Sequence, residues 1–147
     1  MCKHHYGLCA ALLVALALPW TLAAAADLNA PIDPQAVQLQ PQEQNGVRYL
    51  QGGIGQDEAN ALRRTTGYDL HVTLSVGADD KFQSGAAVDI QNAQGQPVLA
   101  LQDVGPLLFV QLPPGQYRVT GNADGQTVQQ QVTVSGKSPA NVSLHWQ

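Results

Sequence analysis

Short segments of alternating apolar and polar residues, separated by turn-forming glycines, constrain this chain more than any other feature. Over residues 67–136 such glycines recur eight to eleven residues apart. The segment Tyr68–Val76 alternates strictly, with apolar side chains at even positions and polar ones at odd positions, which predicts a strand with one buried face. Gln94-Gly95 and Asp124-Gly125 have the sequence of tight hairpin turns. Short strands at this spacing favour a sandwich or barrel over a sheet of alternating strands and helices.

Seven segments after residue 67 read as strands in this way. They are Tyr68–Val76, Ala86–Gln91, Val98–Gln102, Leu107–Leu112, Gln116–Gly121, Thr127–Val134 and Asn141–Trp146. A further short strand, Val47–Gln51, precedes them. We therefore predict an all-β fold, a seven-stranded antiparallel sandwich.

A short helix is predicted before the sandwich. Asp57 and Glu58 open the segment, Arg63 and Arg64 close it, and Gly67 follows shortly after. Acidic residues at the start and basic residues at the end complement the helix dipole, and a glycine past the last turn is a typical C-cap. The sequence thus predicts one short N-terminal helix over residues 57–64.

The first 26 residues have the three parts of a secretory signal peptide. Lys3 supplies the positive charge, residues 7–22 are almost uninterrupted alanine, leucine and valine, and Ala24-Ala25-Ala26 provides the small residues of a cleavage site. We predict a signal peptide over residues 1–26 with cleavage before Asp27. No later segment approaches the ~20 apolar residues of a transmembrane helix, so no membrane span is expected after cleavage.

Both cysteines, Cys2 and Cys9, lie within the predicted signal peptide. The mature protein is therefore expected to be free of cysteine, although an exported protein could keep disulfides. This excludes thiol chemistry and a cysteine-based zinc site. The mature domain must be stabilised by its own core.

Residues 27–46 differ in amino-acid composition from the rest of the mature chain. They contain three prolines and five glutamines and few branched apolar residues, a composition that buries little surface and is typical of a flexible spacer. The predicted domains are a signal peptide over 1–26, a flexible Pro/Gln-rich spacer over 27–46 and a β-sandwich over 47–147.

The charge of the mature chain excludes one class of partner. Residues 27–147 hold all eleven acidic residues but six of the seven basic ones, a formal charge of −5. Proteins that bind nucleic acid need a basic face for the phosphates. We therefore expect no nucleic-acid partner.

The segment with the most specific sequence is Leu112-Pro113-Pro114-Gly115-Gln116-Tyr117-Arg118-Val119. It resembles the hairpin of carboxypeptidase regulatory-like domains, which are prealbumin-like (transthyretin-like) β-sandwiches. Further matching pieces resemble the small exported branch of Gram-negative bacteria: Tyr49, Gly52–Gly55, Glu58, Tyr68–Leu70, Asp89-Ile90, Gly95, Val98-Leu99, Gly105-Pro106 and Trp146. The resemblance covers residues 47–147. It implies a prealbumin-like sandwich and a periplasmic location, with secretion beyond the outer membrane left open, and it implies no peptidase activity.

Several groups of residues have side chains or amides that suit a binding site, and each also fits a structural role. Gly52–Gly55 could bind an anion through free amides, but the fingerprint of a nucleotide site is missing, and a structural turn is favoured. His71 and His145 could meet if their strands pair, yet two histidines without a carboxylate make a poor metal site. Asp79-Asp80 lacks the spacing of a calcium loop.

The remaining candidates also favour structural roles. The five serines after residue 67 have no nucleophile motif around them; they are Ser75, Ser84, Ser135, Ser138 and Ser143. An isopeptide between Asn141 and Lys81 or Lys137 is discounted, because both lysines are predicted in loops. The chain also ends without the motif of the transthyretin-like hydrolases that act on 5-hydroxyisourate. We therefore assign no catalytic, cofactor-binding or metal-binding residue and no cofactor.

The sequence predicts a non-catalytic module of the cell envelope that binds a protein or a glycan. A small hydrolase of the transthyretin-like type and a purely structural component of envelope assembly are the alternatives. Leu107–Val110 is apolar on both faces, and this run fits either a buried central strand, which is favoured, or an edge offered to a partner.

Overall fold

The computed structural model describes residues 30–147. The predicted signal peptide, residues 1–26, and the first three residues of the predicted spacer lie outside this range. Within it, no helix has the length and apolar character needed to cross a bilayer.

The described residues form a short 3₁₀ turn at Pro34–Ala36, one α-helix and ten strands. In chain order the strands and the helix are β1 (Gln42–Gln44), β2 (Val47–Gly52), α1 (Gln56–Arg64), β3 (Leu70–Val76), β4 (Lys81–Phe82), β5 (Ala86–Asn92), β6 (Pro97–Val104), β7 (Leu107–Val110), β8 (Gly115–Ala123), β9 (Gln126–Val134) and β10 (Ala140–Trp146).

The strands form two sheets. The larger sheet has the order β1-β2-β7-β3-β10, with β4 paired to one end of β3, and the smaller sheet has the order β6-β5-β8-β9. Side chains from one face of each sheet make a common core. The predicted all-β sandwich with one short helix is confirmed, but the described strands number ten instead of seven. β2 is the further short strand predicted at Val47–Gln51, whereas β1 and the two-residue β4 were not predicted.

One pair of strands differs in direction from the prediction. β10 runs parallel to β3, with Ala140 opposite Leu70 and Trp146 opposite Val76, while every other pairing among the described strands is antiparallel. Alternation of apolar residues identifies a strand but not its direction, since both kinds of pairing place successive side chains on opposite faces. Parallel neighbours need a long connection, and here the whole smaller sheet lies between β3 and β10 in the chain.

The sandwich begins before residue 47, inside the predicted spacer. β1 pairs with β2 through a two-residue turn, Asn45-Gly46, in which both residues have positive φ (53° and 77°). The hydroxyl of Tyr49 donates a 2.7 Å hydrogen bond to the side chain of Gln42. Asn-Gly is the most favoured sequence for this type of hairpin, so the glutamine-rich composition of the segment concealed a local turn signal.

The main core confirms the faces predicted from alternation. Leu70, Val72 and Leu74 are fully buried between the sheets, and Tyr117 and Val119 reach the same core from β8. The connection before β8 differs from the expected hairpin, because β7 belongs to the larger sheet and β8 to the smaller one. Residues 111–114 therefore carry the chain across the sandwich.

The helix covers the opposite face of the larger sheet. Leu62 and Ala59 of α1 pack with Leu50, Leu107 and Phe109 in a second buried cluster. β7 is thus buried on both faces and lies between β2 and β3. The favoured interpretation of Leu107–Val110 as a central strand is confirmed, and the alternative of an exposed edge is wrong.

Two details at the ends of the helix and of β3 differ from the predictions. The helix ends at Arg64, and the C-cap is Thr65, which is extended and donates its backbone N–H to the carbonyl of Leu62. Gly67 is left-handed but lies two residues farther on, so it shapes the following loop and is not the cap. Tyr68 precedes β3 and packs against the helix-side cluster, so it does not share the face of Leu70.

Candidate functional site

An open groove of about 780 Å³ lies where three connections of the chain meet. The loop after α1, the crossing segment after β7 and the loop between β9 and β10 form its walls. The polar and aromatic side chains in its lining include Arg63, Tyr68, His71, Gln111, Lys137 and Ser138. The groove therefore collects residues that are far apart in the sequence.

Hydrogen bonds between the connections hold the groove in shape. The Asp69 carboxylate accepts a 3.0 Å hydrogen bond from the backbone N–H of Leu112. The side-chain amide of Gln111 donates to the carbonyl of Gly67 at 2.9 Å, and the backbone N–H of Ala140 donates to the carbonyl of Asp69 at 2.8 Å. Since Asp69 and Gln111 fix the walls to one another, the groove is a built feature of the fold.

His71 lines the groove and is held by packing. Its ring stacks on Phe109, with the ring centroids 3.8 Å apart and an angle of 8° between the planes. Its Nε2 atom is buried and has no hydrogen-bond partner among the described residues. Burial lowers the pKa of His71 from the ordinary 6.5, and a hydrogen bond with the Tyr68 backbone acts in the opposite direction. The structure therefore favours the neutral imidazole.

This environment predicts a pH dependence of stability. Because folding lowers the pKa of His71, the unfolded state binds a proton more readily than the folded state. The free energy of unfolding is therefore highest above about pH 6.5 and decreases as the pH falls through the folded-state pKa. We expect the unfolding free energy, measured by urea denaturation, to fall less between pH 7 and pH 5 in His71→Gln than in the wild type. Thr73→Ser, on the same face, is the control and should retain the wild-type slope. Equal slopes for wild type and His71→Gln would contradict the assignment.

Two basic side chains give the groove a positive character. Arg63 and Lys137 both line it, and both are exposed in a chain whose formal charge is −4. The Arg63 guanidinium lies 5.7 Å from the ring centroid of Phe82, which is outside the lining, and its Nη1 atom donates to Asn60 Oδ1 at 3.4 Å. The lining also contains one carboxylate, Asp69, which accepts a hydrogen bond from the Leu112 backbone and keeps its negative charge, so the basic side chains outnumber the acidic one by two to one. The groove is thus suited to a ligand with negative charge.

A second group of polar residues lies on the same face of the larger sheet. His145 Nδ1 is 3.0 Å from Ser75 Oγ and 3.2 Å from Asp80 Oδ1. The set has the residue types of a hydrolytic triad, but a triad needs its serine and its acid on opposite ring nitrogens. Here both compete for one nitrogen, and Ser75 is buried within a regular strand. The contact with Asp80 could not be predicted from the sequence, because it depends on the turn between β3 and β4.

The two histidines considered as a metal pair do not meet. Their strands do pair, but His71 lies opposite Asn141 and His145 opposite Ser75. Four register positions separate them by roughly 13 Å along the strands. Among residues 30–147 no group of three potential ligands comes together, and Asp79 lies 4.0 Å from the Lys81 ammonium with both side chains exposed.

We expect metal chelation to leave the protein unchanged. A bound metal would stabilise the native state according to its saturation, so EDTA should shift the melting temperature of a metal protein. The expected result is the same melting temperature with and without EDTA, measured by calorimetry. A large drop on chelation, reversed by zinc or calcium, would overturn this expectation and would reopen an enzymatic role.

The glycine-rich loop binds a carboxylate of the protein itself. The backbone N–H of Gly53 donates a 2.9 Å hydrogen bond to the side chain of Glu58 in the first turn of α1. Gly53 and Gly55 have positive φ (94° and 95°), which favours glycine. These observations agree with the structural turn that the sequence analysis favoured over an anion site.

Of the two lysines considered for an isopeptide bond, Lys81 lies far from Asn141 in register. Lys81 is in β4, not in a loop as predicted, and it pairs with Val76, whereas Asn141 pairs with His71 at the other end of β3. Lys137 lies in the loop before β10, and its backbone N–H donates to Ser135 Oγ at 3.2 Å.

Comparison with known proteins adds no family. No model of a known protein family matches the chain, and no curated protein matches it with significance. The resemblance to carboxypeptidase regulatory-like domains therefore stays a prediction. The evidence on function comes from the groove and the sandwich.

Proposed function

We propose that this protein is a non-catalytic binding module of the cell envelope and that the groove around His71 is its ligand surface. The observation that carries the proposal is the excess of positive charge in the groove, where Arg63 and Lys137 stand against the single carboxylate of Asp69. An extended ligand with negative charge fits such a surface, because the opposite charges steer its approach.

A glycan fits the lining better than a protein segment does. A sugar ring has an apolar face and a rim of hydroxyls, and the groove offers the rings of Tyr68 and His71 beside the hydroxyl of Ser138. Protein partners are held mainly by aromatic and arginine anchors in well-packed pockets that exclude water, whereas this groove is open and the large apolar side chains near it are packed into the cores. We therefore favour an acidic glycan as the ligand.

The test is titration calorimetry with oligosaccharides of uronic acids and of neutral glucose. We expect binding of the acidic oligosaccharide only, and a loss of about tenfold or more in affinity for Arg63→Ala and for Lys137→Ala, in line with the loss of a charge-assisted hydrogen bond. Arg118→Ala, an exposed arginine on the outer face of the smaller sheet, is the matched control and should bind as the wild type does. Binding of acidic peptides alone would replace the glycan by a protein partner, and equal losses for all three variants would remove the groove from the proposal.

The two alternatives make different demands. A hydrolase of the transthyretin-like type needs a reactive nucleophile with a base, and the contacts of His145 with Ser75 and Asp80 do not provide that geometry. A structural component needs a surface for assembly in place of a ligand groove. The fold is consistent with the prealbumin-like sandwich of the proposed family, since Tyr117 and Val119 both return to the core after Gly115.

The proposed location leads to a further prediction. If residues 1–26 are a signal peptide, the exported protein starts at Asp27 and is found in the periplasm without a lipid anchor. Intact-mass spectrometry of the periplasmic fraction should give the mass of residues 27–147. Recovery in washed membranes with a diacylglycerol adduct, or with the leader still attached, would contradict it.

A further inference from the structure

The smaller sheet has one edge that lacks the usual protection against pairing. β9 (Gln126–Val134) ends the strand order β6-β5-β8-β9, and its nine residues include no charge, proline or glycine. Six of the nine are exposed, among them Gln129, Gln130 and Gln131. Proteins normally interrupt such edges with charges, prolines or bulges, because a free edge is a template for another strand.

The opposite edge of the same sheet is protected in these ways. β6 begins with Pro97 and carries Asp103 in a left-handed conformation. Its pairing with β5 is interrupted by two register shifts, and the backbone N–H of Ala100 donates to the side chain of Gln44 at 2.9 Å. The contrast singles out β9 as the edge of this sheet that carries none of these interruptions.

The hairpin fixes which backbone groups of β9 are free. The two-residue turn Asp124-Gly125 makes Ala123 and Gln126 the first pair of the β8–β9 ladder. Such a pair exchanges both hydrogen bonds, and bonded and non-bonded pairs then alternate. The N–H and C=O groups of alternate residues therefore point away from β8; these residues are Thr127, Gln129, Gln131 and Thr133. No strand within residues 30–147 pairs with this side of β9.

The sequence of β9 is self-complementary. Residues 127–133 read Thr-Val-Gln-Gln-Gln-Val-Thr, which is the same in both directions about Gln130. An antiparallel pair of two such strands with its two-fold axis at Gln130 sets threonine against threonine, valine against valine and glutamine against glutamine. Like pairs of this kind are favourable cross-strand neighbours, and a two-fold interface requires the same patch from both subunits.

The same register also satisfies the backbone. It places Gln129 opposite Gln131 of the second copy and Thr127 opposite its Thr133, so residues whose backbone groups point outward face one another. About eight interchain hydrogen bonds follow from the four pairs of this type. A register shifted by one residue would set outward groups against inward ones and would lose these bonds.

Side chains at the centre and at the ends support this pairing. Val128 and Val132 are half-buried at the margin of the main core. In the dimer, Val128 of each copy would be covered by Val132 of the other copy. Asp124 precedes β9 and Lys137 follows it, and both side chains are exposed. In the antiparallel pair, the start of β9 in one copy meets the end of β9 in the other, so Asp124 of one copy lies near Lys137 of the second. The charges that flank the uncharged strand are therefore complementary.

We propose that the protein forms a two-fold homodimer through β9, which joins the two four-stranded sheets into one continuous sheet of eight strands. The dimer can be tested apart from the glycan proposal, because neither Gln129 nor Gln131 lines the groove, although Lys137 lies near both surfaces.

Sedimentation equilibrium of the exported protein tests the dimer with three double variants at Gln129 and Gln131, whose side chains are exposed. Q129K/Q131K sets lysine against lysine at two pairs across the axis and should weaken the dimer at least about tenfold. Q129K/Q131E sets lysine against glutamate at both pairs and should sediment as the wild type does. A mixture of Q129K/Q131K with Q129E/Q131E should recover the dimer as a mixed species.

Position 131 lies opposite Arg118 on β8, so lysine there should lower the unfolding midpoint of the monomer and glutamate should raise it. The change of each midpoint with protein concentration separates association from folding, because only dimerisation makes the midpoint depend on concentration. A wild-type protein that sediments as a monomer at millimolar concentration would overturn the proposal. So would a Q129K/Q131K variant that dimerises as tightly as Q129K/Q131E, since the charges would then lie away from the interface.

Discussion

Replacement of Tyr117 by alanine should lower the unfolding free energy by about 3–5 kcal/mol, the range for removal of a buried aromatic side chain. Tyr117 lies on the inner face of β8 and is 8% exposed. Its hydroxyl donates a 2.7 Å hydrogen bond to the carbonyl of Pro113, which fastens the segment that crosses between the sheets. The substitution therefore opens a cavity and also releases the crossing.

Gln116→Ala is the matched control, because the neighbouring side chain points outward and is exposed. Urea denaturation should show a change of less than about 0.5 kcal/mol for it, as for most surface substitutions. Tyr117→Phe should cost about 1 kcal/mol, the net value of one hydrogen bond. Small and equal shifts for all three would show that Tyr117 does not belong to the core.

The tyrosine also predicts a loss of stability at alkaline pH. Burial raises the pKa of the Tyr117 phenol above 10.0, and the negative charge of Asp69 adds to the shift. A raised folded-state pKa means that this contribution is complete below about pH 10 and is lost as the pH rises through the folded-state value. Tyr117→Phe should therefore lose less stability above pH 10 than the wild type does.

Truncation of Leu62 to alanine is the second change with a large expected effect, about 2–5 kcal/mol. Leu62 is completely buried and is the largest contribution of α1 to the cluster with Leu50 and Phe109. A helix of nine residues is too short to be stable alone, so the helix and this face of the sheet should lose stability together.

Gln56→Ala, at the exposed first position of α1, is the control for this change. We expect chemical denaturation to shift strongly for Leu62→Ala and little for Gln56→Ala, with a single transition in both cases. A Leu62→Ala protein that unfolds at the wild-type midpoint would contradict the view that the helix belongs to the cooperative unit. An early separate transition would show that α1 docks as an independent element.

The strands could be predicted because their evidence is local. Alternation around Val72 and Val142 identified the buried faces, and both residues lie in the core. The apolar run of β7 predicted a strand covered on both sides, and the helix and the smaller sheet cover it. Alternation with a period of two shows which face of a strand is apolar. That face is buried wherever a second layer of the fold packs against the strand.

Features that depend on strand order could not be predicted in this way. Nothing near Ala140 indicates that it will lie parallel to Leu70, because the choice of neighbour depends on how the whole sandwich closes. The groove has the same origin, since it unites Tyr68, Gln111 and Lys137 from three separate connections. The contact between His145 and Asp80 likewise joins residues on different strands and turns.

The parallel pairing of β10 with β3 bears on when this chain can fold during its synthesis. Leu70 and its partner Ala140 are separated by seventy positions in the sequence, and contacts of such long range make folding slow. Until residues 140–146 have emerged, one side of β3 stays open and Val72 and Leu74 lack the cover of Val142 and Leu144. The nascent chain therefore cannot complete its native fold until β10 has been synthesised. Loss of β10 would leave an aggregation-prone, protease-sensitive intermediate instead of a smaller stable domain.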